Sequence, residues 1–151
     1  MKIALILFLL VVIAAVTALF IFGRISASGE APGLIDGQLA RCPQTPNCVC
    51  SEFKDDISHY IEPLSMVTTQ EFSTIITAIG NIGGEVVSQS NNYLAARFSS
   101  QLFGFVDDVE IRLDPEQGII QFRSASRIGH SDFGVNRKRI EQLKEQLTHH
   151  R

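Results

Sequence analysis

Phe105-Val106-Asp107-Asp108-Val109-Glu110-Ile111-Arg112-Leu113, Asp114-Pro115-Glu116-Gln117-Gly118 and Ile119-Ile120-Gln121-Phe122-Arg123-Ser124-Ala125-Ser126-Arg127-Ile128 are the consecutive segments from which the fold is read. In the first, Val109, Ile111 and Leu113 alternate with Asp108, Glu110 and Arg112. That is the period of a strand with one face on a core. The middle segment has turn chemistry, with Asp and Pro at its start and Gly at its end. In the third, Ile120 and Phe122 share a parity with Ser124 and Ser126. Matching the apolar faces of the two strands pairs Leu113 with Ile120 and Ile111 with Phe122, because a slip of one residue would turn every side chain over. This register sets Glu110 opposite Arg123 on the other face, read as the solvent face, with Asp108 and Arg127 near the same ladder. Asp107 falls on the apolar face, where the register offers Ser124 and Ser126 as partners.

Working outward, a second hairpin precedes this one. Glu85–Ser90 and Tyr93–Ser99 flank Asn91-Asn92, residues that tolerate the positive φ of a tight turn. Before it, Thr68-Thr69-Gln70-Glu71 has the form of a capping box, and Phe72, Ile75, Ile76 and Ile79 follow at helical spacing until Gly83-Gly84. After the main hairpin, Ser131 or Asp132 can cap a last helix from about Phe133 to Thr148, with Asn136, Ile140, Leu143 and Leu147 on one face. A helix, an antiparallel sheet of about four strands in two hairpins and a C-terminal helix make an α+β domain, both helices packed on one face.

The chain has 151 residues, enough for one such domain beyond its N-terminal segment. Ile3 to Phe22 carries no charge and one polar side chain, Thr17. At 1.5 Å per residue it spans ~30 Å, the thickness of a bilayer's hydrocarbon core. It is longer than the apolar core of a cleaved signal peptide, although Ser26-Ala27-Ser28 could serve as a poor cleavage site. We therefore read residues 1–24 as a membrane anchor, 25–41 as a juxtamembrane linker rich in Gly, Pro and Ser, and 42–151 as the domain. Lys2 and the α-amino group lie before the span and Arg24 after it, a slight charge bias toward a non-cytoplasmic (periplasmic) domain.

Three cysteines fall within nine residues: Cys42, Cys48 and Cys50. Pro43 and Pro46 allow a turn that brings Cys42 to Cys48, whereas Cys48 and Cys50 are too close in sequence for good bridge geometry. A structural Cys42–Cys48 disulfide is the preferred reading, leaving Cys50 unpaired and open to a thiol probe. Zinc held by the three thiols and His59 would match no common structural spacing, and redox chemistry lacks a C-x-x-C motif. No metal or cofactor is assigned. A net charge of −3 and a pI near 5.8 argue against a nucleic-acid partner.

Three separated stretches resemble an uncharacterised family. They are Cys42-Pro43-Gln44-Thr45-Pro46-Asn47-Cys48-Val49, then Leu102-Phe103-Gly104-Phe105-Val106-Asp107-Asp108-Val109-Glu110, then Arg123-Ser124-Ala125-Ser126-Arg127-Ile128-Gly129-His130-Ser131-Asp132-Phe133-Gly134-Val135-Asn136-Arg137. In this order they are similar to the signatures of the domain of unknown function 1499. The resemblance implies a bacterial envelope-type protein with plastid relatives and no established activity or cofactor. Cys50 stands where that pattern has Ser.

Two constellations invite a functional reading. Asp107, on the apolar face, could serve acid–base chemistry if a second carboxylate or a His converged on it. The loop from Gly129 to Gly134, opening a helix, could aim backbone donors at an anion, with Arg123, Arg127, Ser131, Asn136 and Arg137 around it. Set against these, each group could simply pair with its neighbours across the sheet. His59, His130, His149 and His150 form no coherent set. The expectation is a membrane-tethered, non-enzymatic domain that binds a partner or a small anionic or lipid ligand. The alternative is a hydrolase- or transferase-like enzyme using Asp107 with the Arg123/Arg127 region, and thiol redox would rest on Cys50 alone.

Overall fold

The alternating strands find their second layer in two helices and their lid in the N-terminal segment. The computed structural model describes residues 1–65 and 72–149. The elements in chain order are α1 (Lys2–Ala27), β1 (Leu34–Ile35), β2 (Gln38–Leu39), β3 (Cys48–Cys50), β4 (Leu64–Ser65), α2 (Phe72–Asn81), β5 (Glu85–Gln89), β6 (Tyr93–Ser99), β7 (Val106–Asp114), β8 (Ile119–Ser126) and α3 (Val135–His149). The expected capping box at Thr68–Glu71 lies outside the described residues.

The β7–β8 hairpin has the register read from its apolar faces: Leu113 opposite Ile120, Ile111 opposite Phe122, Glu110 opposite Arg123 and Asp107 opposite Ser126. The sheet is larger than four strands. Among the described residues it has six, in the order β3-β8-β7-β6-β5, with β4 also on the free edge of β8. All these pairs are antiparallel. The extra two, one closing the cysteine loop and one shortly before α2, are short pieces laid along an edge that would otherwise present unpaired backbone groups. At two and three residues, they are too short to show a period.

Val109, Ile111, Ile120, Phe122, Leu94 and Ala96 form one face of the sheet, and α2 and α3 both pack there. From α3 come Ile140, Leu143 and Leu147; from α2, Ile75, Ala78 and Ile79. Ile76, expected on this face, lies at its exposed rim, and Ala78 takes the inner place. Truncating a fully buried member such as Phe122 to Ala would cost about 3–5 kcal/mol, transfer and cavity together. The C-terminal helix begins two residues later than expected. Phe133 and Gly134 have positive φ (54° and 80°), which no helix start tolerates.

The opposite face corrects the sequence reading most. It is not open to solvent. Residues 25–41 finish α1 and then fold back as a hairpin, whose Asp36-Gly37 turn has positive φ at both positions (52° and 80°). This is the primed turn that suits a two-residue hairpin. Leu39 is buried and β2 packs over β7 and β8. Near its C-terminal end α1 also touches the sheet. The Ser26 hydroxyl donates to the Val106 carbonyl (3.3 Å) and accepts from the Val106 N–H (2.9 Å). The rest of α1 is long and apolar enough to cross a membrane, a test that a signal sequence also passes.

Candidate functional site

The strand period divides the polar residues of β7 and β8 between two faces, and each set meets a different partner. On the helix face, Asp107 pairs with Arg139, whose Nη2 donates to Oδ2 at 2.7 Å. Ser124 and Ser126, its expected partners, bond Asn136 instead. The Arg139 guanidinium also donates to Asn136 Oδ1 (2.6 Å) and lies 4.6 Å from the centre of the Phe98 ring. Asn136 is fully buried and carries the network on. Its Nδ2 donates to the Asn47 carbonyl (3.0 Å), and Asn47 Nδ2 donates to the Gly129 carbonyl (2.8 Å). One hydrogen-bonded set therefore ties the cysteine loop, β7, β8 and α3 together. Sequence reasoning missed Asn47 and Arg139. The one signal for Arg139 was its spacing three residues after Asn136, which puts both on one helix face.

On the other face three arginines of β7 and β8 are held in ion pairs. Arg127 reaches Asp108 through two hydrogen bonds of 2.8 Å. Arg123 donates to Glu110 Oε2 at 2.6 Å, and Arg112 bridges Glu52 (2.6 Å) and Asp114 (3.1 Å). Glu110 Oε1 also accepts from the Tyr93 hydroxyl (2.8 Å) and from the N–H of Gly33 (2.9 Å), just before the N-terminal hairpin. Burial, with Glu110 beside it, pushes the Tyr93 hydroxyl well above its ordinary value. Arg127 has a second role: its Nη1 donates to the Ser26 and Ala27 carbonyls (3.1 and 3.3 Å), satisfying the last turn of α1.

The loop read as an anion site is already filled. Asp132 accepts from the Asn136 N–H (2.6 Å) and the Gly134 N–H (3.1 Å), so its own carboxylate occupies the start of α3. Ser131 accepts from the Phe133 N–H, and Arg137 donates to the Tyr60 and Ser58 carbonyls away from that loop. Of the six residues singled out, Asp107 and Asn136 share the helix face, and Arg123 and Arg127 share the other. Ser131 and Arg137 join neither. The sheet itself stands between Asp107 and the two arginines, so no single site can use them together.

Cys42 and Cys48 form the disulfide, their Cα atoms 5.7 Å apart, while His59 is held by Asp56 (2.8 Å). These residues do not converge on a metal site, and neither does any other group of three His, Cys, Asp or Glu among those described. Cys50 is free but buried, correcting the expectation of a reactive thiol. Burial pushes that thiol up to about 11, so the nucleophilic thiolate is scarce at neutral pH.

Two clefts remain. One, of about 430 Å³, is bounded by Gly29, Glu30, Arg97 and Arg127 at the end of α1. The other, of about 570 Å³, opens between α2, α3 and the β6–β7 loop. Its lining includes the charged residues Lys138, Arg139 and Asp107 and the apolar residues Phe98, Phe105 and Ile82.

What these observations define is an α+β domain joined without a spacer to an apolar helix, its polar residues engaged chiefly with one another. Residues 38–147, more than two thirds of the chain, match the family described as Protein of unknown function (DUF1499), and the chain belongs to that family. Neither a curated protein nor a solved structure matches it.

Proposed function

We propose that this chain is a single-pass, membrane-tethered domain of the cell envelope, facing the non-cytoplasmic side, that binds a small anionic ligand of lipid type and does not transform it. The observation that carries the reading is the 570 Å³ cleft, whose lining brings two cations, Lys138 and Arg139, together with two aromatic rings, Phe98 and Phe105. An amphiphile needs both in one place. Arg139 is already paired with Asp107, which leaves Lys138 as the cleft's net positive charge. Phe105 lies at the cleft's edge and its ring packs on Phe103, which in turn packs on Phe20 of α1. A lipid leaving the bilayer beside α1 would meet these three rings on its way to the cleft. The disulfide supports the compartment, since such bonds persist outside the reducing cytoplasm. Binding is favoured over catalysis because Asp107 and the Arg123/Arg127 pair are on opposite faces of the sheet.

The test is the melting temperature of the full chain in micelles with a short-chain phosphatidylglycerol or the matching phosphatidylcholine added. Stabilisation is expected with the anionic lipid alone and should vanish in Lys138→Glu, whose exposed side chain carries no part of the core. Equal shifts with both lipids, or an unchanged shift in the variant, would overturn the assignment.

A further inference from the structure

The connection between β6 and β7 is apolar where a connection is ordinarily polar. Leu102 is 69% exposed and Phe103 is only half-buried. The loop lies against the end of the apolar helix. The Phe103 ring meets the Phe20 ring edge to face at 5.3 Å, and the Phe103 carbonyl comes so close to Gly23 that a Cβ there would sit 1.7 Å from it. Gly23 is thus required by backbone contact. The contact also fixes depth. Phe20 is three residues inside the end of the charge-free run that closes at Gly23, about 4.5 Å along the helix axis. A ring at the level of Phe20 is therefore at the edge of the hydrocarbon layer wherever α1 spans it.

The loop's backbone suits that depth. The Ser100 N–H donates to the Phe105 carbonyl (2.8 Å), the Gly104 N–H to the Ser100 carbonyl (3.1 Å) and the Phe105 N–H to the Ser100 hydroxyl (2.9 Å). Gly104 takes the positive φ of 74° that closes the turn. With these groups bonded inside the loop, immersing it exposes fewer polar groups to lipid. Leu and Phe side chains then gain from leaving water.

We infer that the Ser100–Phe105 loop is a second membrane-contacting element, whose Leu102 and Phe103 enter the interfacial layer of the leaflet where α1 ends. This rests on the anchoring part of the function proposed above. The domain then stands on the bilayer in one orientation, held at two points: the end of α1 keyed to β7 through Ser26, and this loop.

The chain contains no tryptophan, so one added Trp is an unambiguous reporter. Leu102→Trp and Glu116→Trp are each introduced into the full chain, reconstituted in phosphatidylcholine–phosphatidylglycerol vesicles and purified by flotation. Glu116 is exposed in the turn at the far end of the β7–β8 hairpin. Trp at 102 should emit at shorter wavelength than Trp at 116. It should be quenched by lipids brominated on the upper acyl carbons and show a several-fold smaller iodide quenching slope. Equal emission and equal iodide slopes at both positions in floated vesicles would overturn this inference and leave the anchor standing. Failure of both variants to float would overturn the anchor and this inference together.

Discussion

Arg127→Ala separates a binding arginine from a structural one, and the geometry commits to the second. The Arg127 and Asp108 side chains are 10% and 4% exposed, and two hydrogen bonds of 2.8 Å join them. An exposed pair of this kind would contribute no more than about 1 kcal/mol. Removing one partner of a buried pair leaves the other charge uncompensated, at a cost on the order of 3–5 kcal/mol. Arg127 also satisfies the Ser26 and Ala27 carbonyls, so its loss loosens the seat of α1 as well. For a domain of this size the expected fall in melting temperature is roughly 12 °C or more. Scanning calorimetry of the full chain in micelles measures it. A second variant checks the cause: Arg127→Met combined with Asp108→Leu replaces the pair by apolar groups and should recover most of the loss. A fall of about 4 °C or less in Arg127→Ala, or a double variant no better than the single one, would refute the buried-pair reasoning.

Cys50, buried and with its thiol raised to about 11, should resist maleimide in the native protein and react once per chain in denaturant; labelling of the folded chain within minutes would show a mobile edge at β3. The Asp114 carboxyl is held below its ordinary value by the Gln117 N–H (3.0 Å) and by Arg112, against the opposing effect of burial. A depressed carboxyl stabilises the fold at pH above the unfolded value of about 3.9, and that contribution is lost as pH falls through the lower folded value. The stability gap between wild type and Asp114→Asn, measured by urea titration, should therefore hold from pH 7 to about 5 and narrow below about 4; a gap that widens in acid would contradict this.

The β7–β8 register was legible because two apolar faces can be matched in one parity only. The cysteine pairing was legible because the alternatives were sterically poor, and the helix face of α3 because Asn136, Ile140, Leu143 and Leu147 recur at its turn spacing. The same period put Asp107 on one face and Arg123 and Arg127 on the other. What it could not supply was the covering of the second face. Alternation of Asp108, Glu110 and Arg112 with apolar residues is the pattern of a solvated face, and a face of ion pairs covered by a folded-back hairpin has the same pattern. The one local signal was Asp36-Gly37, a pair typical of tight hairpins.

By itself the sequence determined the apolar span, the antiparallel hairpins, the side of each strand that meets α2 and α3, and the Cys42–Cys48 bridge. These depend on local periodicity and on groups close along the chain. Only the tertiary structure decided that residues 25–41 lie across the sheet, that Arg139 holds Asp107, and that Leu102 and Phe103 stand beside the end of α1. Those contacts join residues from about thirty to about one hundred positions apart. Nothing in the spacing of side chains along a strand or helix encodes which distant segment will cover it.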